Sequence, residues 1–222
     1  KIMKTANWYF DFISPYAYLQ SAIIEKITGK IFLSPRPILF AGLLNHYGHL
    51  GPAEIPSKKK FVMQQALWLA QKYNIPFKLP PFHPFNPLPP LRLAISIGEN
   101  IEKVHQIFEF IWSKGLNIED PKEFSSLGKS IGINDANGVV QDISLKKKLR
   151  TQTNLAISEG VFGIPTIVID KQLFWGLDSI DMLLGYLEDC SSFTKNIVQP
   201  AEETPIETSK DNLENSSDED QV

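Results

Sequence analysis

A serine followed by a proline, Ser14-Pro15, interrupts the aromatic and β-branched run Trp8-Tyr9-Phe10-Asp11-Phe12-Ile13 and opens a segment with helical spacing, Tyr16-Ala17-Tyr18-Leu19. A strand that ends this way brings a hydroxyl and the first unpaired N–H groups of a helix to one point. Negative charge developing there is favoured by the helix dipole, so the junction suits a group that stabilises an anion. A second motif lies far downstream, where Gly160-Val161-Phe162-Gly163-Ile164-Pro165-Thr166 turns directly into an apolar strand. Other chemistries are narrowed by composition. The single cysteine, Cys190, excludes an internal disulfide, a Cys-x-x-Cys redox pair and a cysteine-rich zinc site. His46, His49, His83 and His105 lack ligand spacing, so no metal site is expected and each reads as a surface or polar-pocket residue.

The elements that must position these residues follow from periodicity. Residues 6–13 read as a strand, 15–28 as a helix with Tyr16, Leu19, Ile23, Ile24 and Ile27 on one face and Gly29 as its stop, and 31–40 as a second strand. Pro35 and Pro37 place that second strand at an edge or an irregular position. From Pro56 to about Asn74 one long amphipathic helix is predicted, followed by helices over 91–97, 101–112, 121–131 and 143–158. Trp68 and Trp112 fall on apolar helical faces and read as core. Residues 75–90, rich in proline and aromatics, read as a rigid non-helical loop suited to the wall of a pocket. Strands over 166–170 and 172–175 flank a tight Asp170-Lys171 turn, and a last helix starts at Asp178, its expected N-cap.

The chain has 222 residues, 43% of them hydrophobic, enough for one substantial core. One domain over residues 6–194 is expected, with a helical insertion at about 56–150. The net charge of −3 divides into −7 over residues 196–222, where eight acids face Lys210, and +4 over the rest. The acidic tail from 195 reads as disordered. A weakly basic body suits small anions and gives no argument for nucleic acid. Lys58-Lys59-Lys60 and Lys146-Lys147-Lys148 read most simply as solvated helix faces. No run approaches the ~20 apolar residues of a membrane span, and a cytoplasmic location is expected.

The order β-α-β, helical insertion, β-β-α, entered through Ile164-Pro165-Thr166, resembles an α/β thioredoxin-like domain split by a helical module. Phe10-Asp11-Phe12-Ile13-Ser14-Pro15-Tyr16-Ala17-Tyr18-Leu19, the Gly160 to Thr166 segment and Leu173-Phe174-Trp175-Gly176-Leu177-Asp178 are together similar to the 2-hydroxychromene-2-carboxylate isomerase family, which is related to kappa-class glutathione transferases and shares a DsbA-like fold. The resemblance runs from about Ala6 to Leu187. It implies isomerisation of 2-hydroxychromene-2-carboxylate to trans-o-hydroxybenzylidenepyruvate in the catabolism of aromatic compounds, with glutathione as cofactor. The thiolate would add reversibly to the conjugated substrate, leaving a single bond free to rotate before the sulfur is expelled. Homodimerisation is a further expectation, although no self-complementary patch is legible.

By this resemblance Ser14 is the catalytic serine, donating to the glutathione sulfur; the same position is also a plain helix N-cap, and the two roles are compatible. The resemblance implies a cis Pro165, with the Ile164 backbone pairing with the cysteinyl backbone of glutathione; an ordinary proline at the start of a strand is the alternative. Leu177, Asp178 and Ser179 are implied for the γ-glutamyl end, Ser179 standing where kappa relatives often carry arginine. Lys58 matches a lysine near the glycine carboxylate, with Lys59 or Lys60 as substitutes, and His49 matches an asparagine of better-known members. For the small aromatic carboxylate substrate the candidates are Tyr16, Phe82, Phe85, Asn86, Arg92 and Trp175. Arg92 could fork onto a carboxylate or equally pair with an acid of the protein. Two rival functions are a kappa-like transferase, which keeps the conjugate, and a noncatalytic thiol- or peptide-binding module.

Overall fold

The computed structural model describes residues 3–195. A four-stranded sheet in the order β2-β1-β3-β4 forms its centre. β1 (Lys4–Phe10) runs parallel to β2 (Ile31–Pro37) and antiparallel to β3 (Thr166–Ile169), which pairs antiparallel with β4 (Gln172–Trp175). β2 is an edge strand, where the missing N–H groups of Pro35 and Pro37 are tolerated. Asp170 and Lys171, both at positive φ, make the tight β3-β4 turn.

Alternation along the strands gives the sheet two apolar faces. Trp8, Phe10, Ile167, Ile169 and Phe174 enter the larger core, covered by α1 (Pro15–Ile23), α6 (Ile101–Trp112) and α10 (Ser179–Glu188). Tyr9 and Val168 point the other way and meet α3 (Phe40–Tyr47) and α9 (Ile143–Ser158) through Leu43 and Ala156. Between β2 and β3 the chain is mostly helical, with α4 (Pro56–Lys72), α5 (Leu88–Ser96), α7 (Pro121–Ser130) and the short α8 (Ala136–Val139) joining α3, α6 and α9, and an irregular segment between α4 and α5. Among the described residues no helix is long and apolar enough to cross a membrane.

Several sequence expectations need correction. The first strand ends at Phe10, because the Asp11 carboxylate folds back onto the N–H of Ile13. The helix after Ser14 breaks at Ile24, and the short α2 (Glu25–Thr28) follows. Residues 38–40 are not strand: α3 begins at Phe40. Leu88, Pro89 and Pro90 are helical, as prolines can be in a first turn that needs no N–H partners. Trp68 is 57% exposed. α4 buries Ala66 and Ala70, which turns Trp68 outward, where the Lys72 ammonium lies 5.3 Å from its ring centre. Trp112 is fully buried. α11 (Cys190–Lys195) extends the fold beyond the last expected helix; the disorder expected over 196–222 lies outside the described residues.

Candidate active site

Ser14 is the N-cap of α1. Its extended backbone (φ −92°, ψ 117°) lets its Oγ accept the Ala17 N–H at 3.2 Å, with Pro15 in the first turn. Accepting uses one lone pair and leaves the hydroxyl proton to be donated elsewhere. The preceding bend is tied down. Ser14 N donates to the Asp11 carbonyl at 3.2 Å, Ile13 N to Asp11 Oδ1 at 3.1 Å, and Trp112 Nε1 to the Phe12 carbonyl at 2.8 Å.

Two clefts meet here. One, of about 380 Å³, is lined by Asp11, Ser14 and Tyr16, by Leu39, Phe40 and Leu44 of the α3 region, by Val62, and by His83, Asn86 and Leu88. The other, of about 360 Å³, is lined by Tyr16, Gln65, Leu69, Tyr73, Ile164, Pro165, Trp175, Gly176, Leu177 and Asp178. Tyr16 and Ile164 line both, and the Tyr16 hydroxyl donates to Gln65 Oε1 at 2.6 Å. The Ile164–Pro165 bond is cis. The loop beyond is held against α1: Gln20, which takes the Trp8 indole N–H at 2.7 Å, donates to the Gly176 carbonyl at 3.0 Å, and Gly176 N donates to the Pro165 carbonyl at 2.8 Å.

Of the residues singled out in the sequence, Ser14, Tyr16, Asn86, Ile164, Pro165, Trp175, Leu177 and Asp178 therefore line these clefts. The others do not. Arg92 Nη1 donates to the Val140 carbonyl at 3.2 Å and its buried Nε has no partner, so the guanidinium serves the helical layer. Phe85 is core, its ring 6.4 Å from that of Trp112. Ser179 Oγ donates to the Gly176 carbonyl at 2.8 Å. Phe82, His49 and Lys58 are exposed and outside both linings; of the lysine run, Lys59 lies close enough to His83 to act on its charge. Asp178 occupies the N-cap position of α10 without capping it: its helical backbone (φ −72°, ψ −17°) makes no side-chain cap bond, and its carboxylate sits beside Gly176, which is at φ 89°.

Sequence reasoning gave no role to Asp11 and missed what His83 does. Asp11 is completely buried, and burial pushes its carboxyl up to about 7 against the pull of the N–H groups of Phe40, Ile13 and Phe12. A lone acid in an apolar run was the available signal. His83 Nε2 lies 2.9 Å from the Ile13 carbonyl, and burial holds its pKa below the usual histidine value.

Strand order, helical insertion and a cis-proline loop beside the N-terminus of α1 define a thioredoxin-like protein with a serine at the head of its first helix. Residues 5–188 match the DSBA-like thioredoxin domain, and the chain belongs to that family. It is 30% identical over 198 residues to 2-hydroxychromene-2-carboxylate isomerase of Sphingobium xenophagum, covering 84% of this chain and 99% of the relative. It is 27% identical over 205 residues to glutathione S-transferase kappa 1 of Rattus norvegicus, covering 83% and 90%. A solved 2-hydroxychromene-2-carboxylate isomerase superposes with a TM-score of 0.72 at 22% identity, over 86% of this chain and 98% of that one. The fold and family expected from the motifs are those found.

Proposed function

We propose that this protein is a glutathione-dependent isomerase that acts on 2-hydroxychromene-2-carboxylate or a similar conjugated aromatic acid. The observation that carries the reading is the Ser14 hydroxyl at the head of α1, in the lining of the apolar cleft that shares Tyr16 and Ile164 with its neighbour. Glutathione would lie in the Ile164-Pro165-Trp175-Leu177-Asp178 cleft, its cysteinyl backbone against Ile164 and its γ-glutamyl carboxylate near the N–H groups that open α10. Ser14 O–H and the α1 dipole favour the thiolate over the thiol. In the apolar cleft the hemiketal ring opens, its C2–O bond breaking to release the phenol oxygen, which takes the proton of the C2 hydroxyl as that group becomes a ketone. The thiolate then adds to the alkene conjugated with this ketone, a carbon–sulfur bond forms and the alkene's electron pair moves onto the ketone oxygen. Rotation about the resulting single bond and collapse of the enolate expel the thiolate unchanged. The similarity to a named isomerase supports the enzyme class, and the order of events is part of the proposal.

A second reading, kappa-like transfer, is favoured by one observation: no lysine or arginine is among the residues lining the apolar cleft, and Arg92, the expected carboxylate partner, is engaged elsewhere. Glutathione accounting decides between them. Total free glutathione is measured before and after complete turnover of the chromene carboxylate and of a neutral aryl halide. Isomerisation leaves it constant with the first substrate; consumption with the second and no reaction with the first would replace isomerase by transferase.

A further inference from the structure

Main-chain groups of the bend before Ser14 are met by side chains from separate elements. Asp11 takes the N–H of Ile13, Trp112 of α6 donates to the carbonyl of Phe12, and His83 Nε2 reaches the carbonyl of Ile13 at 2.9 Å. Trp112 is fully buried in the core, and Asp11, though it borders the cleft, is fully buried and belongs to the bend itself. His83 differs: it belongs to the irregular segment between α4 and α5 and lines the apolar cleft together with Ser14. A carbonyl oxygen only accepts, so Nε2 carries the proton and Nδ1 is bare. That Nδ1 is buried and has no partner. A stranded ring nitrogen is destabilising, and an apolar ring would fill the same niche, 5.6 Å from the Trp112 ring and 6.2 Å from the Phe85 ring, without it. The one thing the imidazole supplies that such a ring does not is the bond to Ile13. The other titratable or charged groups around it are Asp11 in the bend, Tyr16 on α1, Glu54 beside α4, and Lys59 on α4.

We propose that His83 is a positioning residue for Ser14: by holding the carbonyl of Ile13 it fixes the peptide that carries Ser14, and so the aim of the hydroxyl at the cofactor's sulfur. The inference rests on the reading of the site as a glutathione site. Burial, aided by Lys59 and opposed by the bond to Ile13, lowers the pKa of the imidazole, and Nε2–H donates to the carbonyl of Ile13 in the neutral and the charged form alike.

The test uses the full chain as wild type, His83→Phe, His83→Leu and His83→Gln. Phenylalanine and leucine lack the donor; glutamine carries an amide N–H at a similar reach. Ultraviolet absorbance of the bound glutathione thiolate is followed against pH, with kcat and the KM for glutathione measured in parallel. His83→Phe and His83→Leu are expected to raise the apparent pKa of the bound thiol by about one unit and to lower kcat about tenfold, with a smaller change in KM, and His83→Gln to recover most of both. Wild-type thiolate behaviour in the folded phenylalanine or leucine variant overturns the proposal, as does a glutamine variant as impaired as they are. Absence of any thiolate signal in the wild type removes the glutathione reading itself, and the inference with it.

Discussion

Replacing Ser14 by alanine removes two hydrogen bonds of different kinds. The first is the N-cap, in which Oγ accepts the Ala17 N–H at 3.2 Å; losing such a cap costs about 1 kcal/mol of stability, whereas glycine at the same place costs only a few tenths. The second is the donation to the thiolate. A hydrogen bond to a charged partner contributes about 1.5–3 kcal/mol, which corresponds to a rise of about 1–2 units in the pKa of the bound thiol. Below the wild-type pKa of the bound thiol the thiolate fraction, and with it kcat/KM, should fall about 10- to 150-fold. The loss should shrink as pH rises from the wild-type to the shifted pKa and be small beyond it, because the hydroxyl alters ionisation more than the addition step. Ser14→Gly separates the two bonds: activity should fall as in Ser14→Ala while the urea midpoint stays close to wild type. Turnover in both variants is measured from low to high pH alongside urea unfolding. An equal loss of activity at every pH, or a glycine variant that keeps wild-type turnover, would refute the reasoning.

Asp11 makes stability depend on pH with a definite sign. Its carboxyl is raised from 3.8 to about 7 in the fold, so the folded state holds a proton that the unfolded chain releases, and this contribution is complete below about pH 4 and lost as pH rises through about 7. The slope reaches about 1.4 kcal/mol per pH unit, and urea titrations of Asp11→Asn should show it flattened; an unchanged slope contradicts the assignment. Arg92→Leu should cost about 1–3 kcal/mol in unfolding free energy through the lost bond to the Val140 carbonyl, leaving the KM for a carboxylate substrate unchanged. A large rise in that KM with stability intact would restore Arg92 to the substrate site. Gly163→Ala would bring a methyl to 2.5 Å from Trp175 Nε1, so the indole should leave the wall of its cleft. The expected signs are altered tryptophan fluorescence and weaker glutathione binding by titration calorimetry; wild-type values for both would show that Trp175 does not shape that site.

What the sequence disclosed was mostly local. The Ser-Pro start of α1, the bounds of α6 and α9, and the Asp170-Lys171 turn rest on caps, periodicity and turn chemistry within a few residues, and the structure has them there. α3 has no N-cap signal of its own in the sequence, and Phe40 reads as the end of a strand, because its first turn is held from afar: Phe40 N–H donates to Asp11 Oδ2 at 2.9 Å, across 29 positions of sequence. The exposure of Trp68 follows from which face of α4 meets the core, and periodicity could not rank Ala66 and Ala70 above a tryptophan. Cleft-lining residues were legible where motif and main chain coincide, as at Ser14 and Ile164-Pro165. Arg92 is misplaced because α5 packs so that its guanidinium meets the carbonyl of Val140, and Phe85, which precedes α5, because its ring is buried beside Trp112 of α6. His83 was hidden for the converse reason, since its partner, the carbonyl of Ile13, is 70 residues away.

The most direct test of the account is conversion of 2-hydroxychromene-2-carboxylate by the purified chain, followed spectrophotometrically as glutathione is titrated from zero. A rate that rises from the uncatalysed background and saturates with glutathione, yielding trans-o-hydroxybenzylidenepyruvate and unchanged cofactor, is the predicted result. Full turnover without glutathione, or none at saturating glutathione, would contradict it.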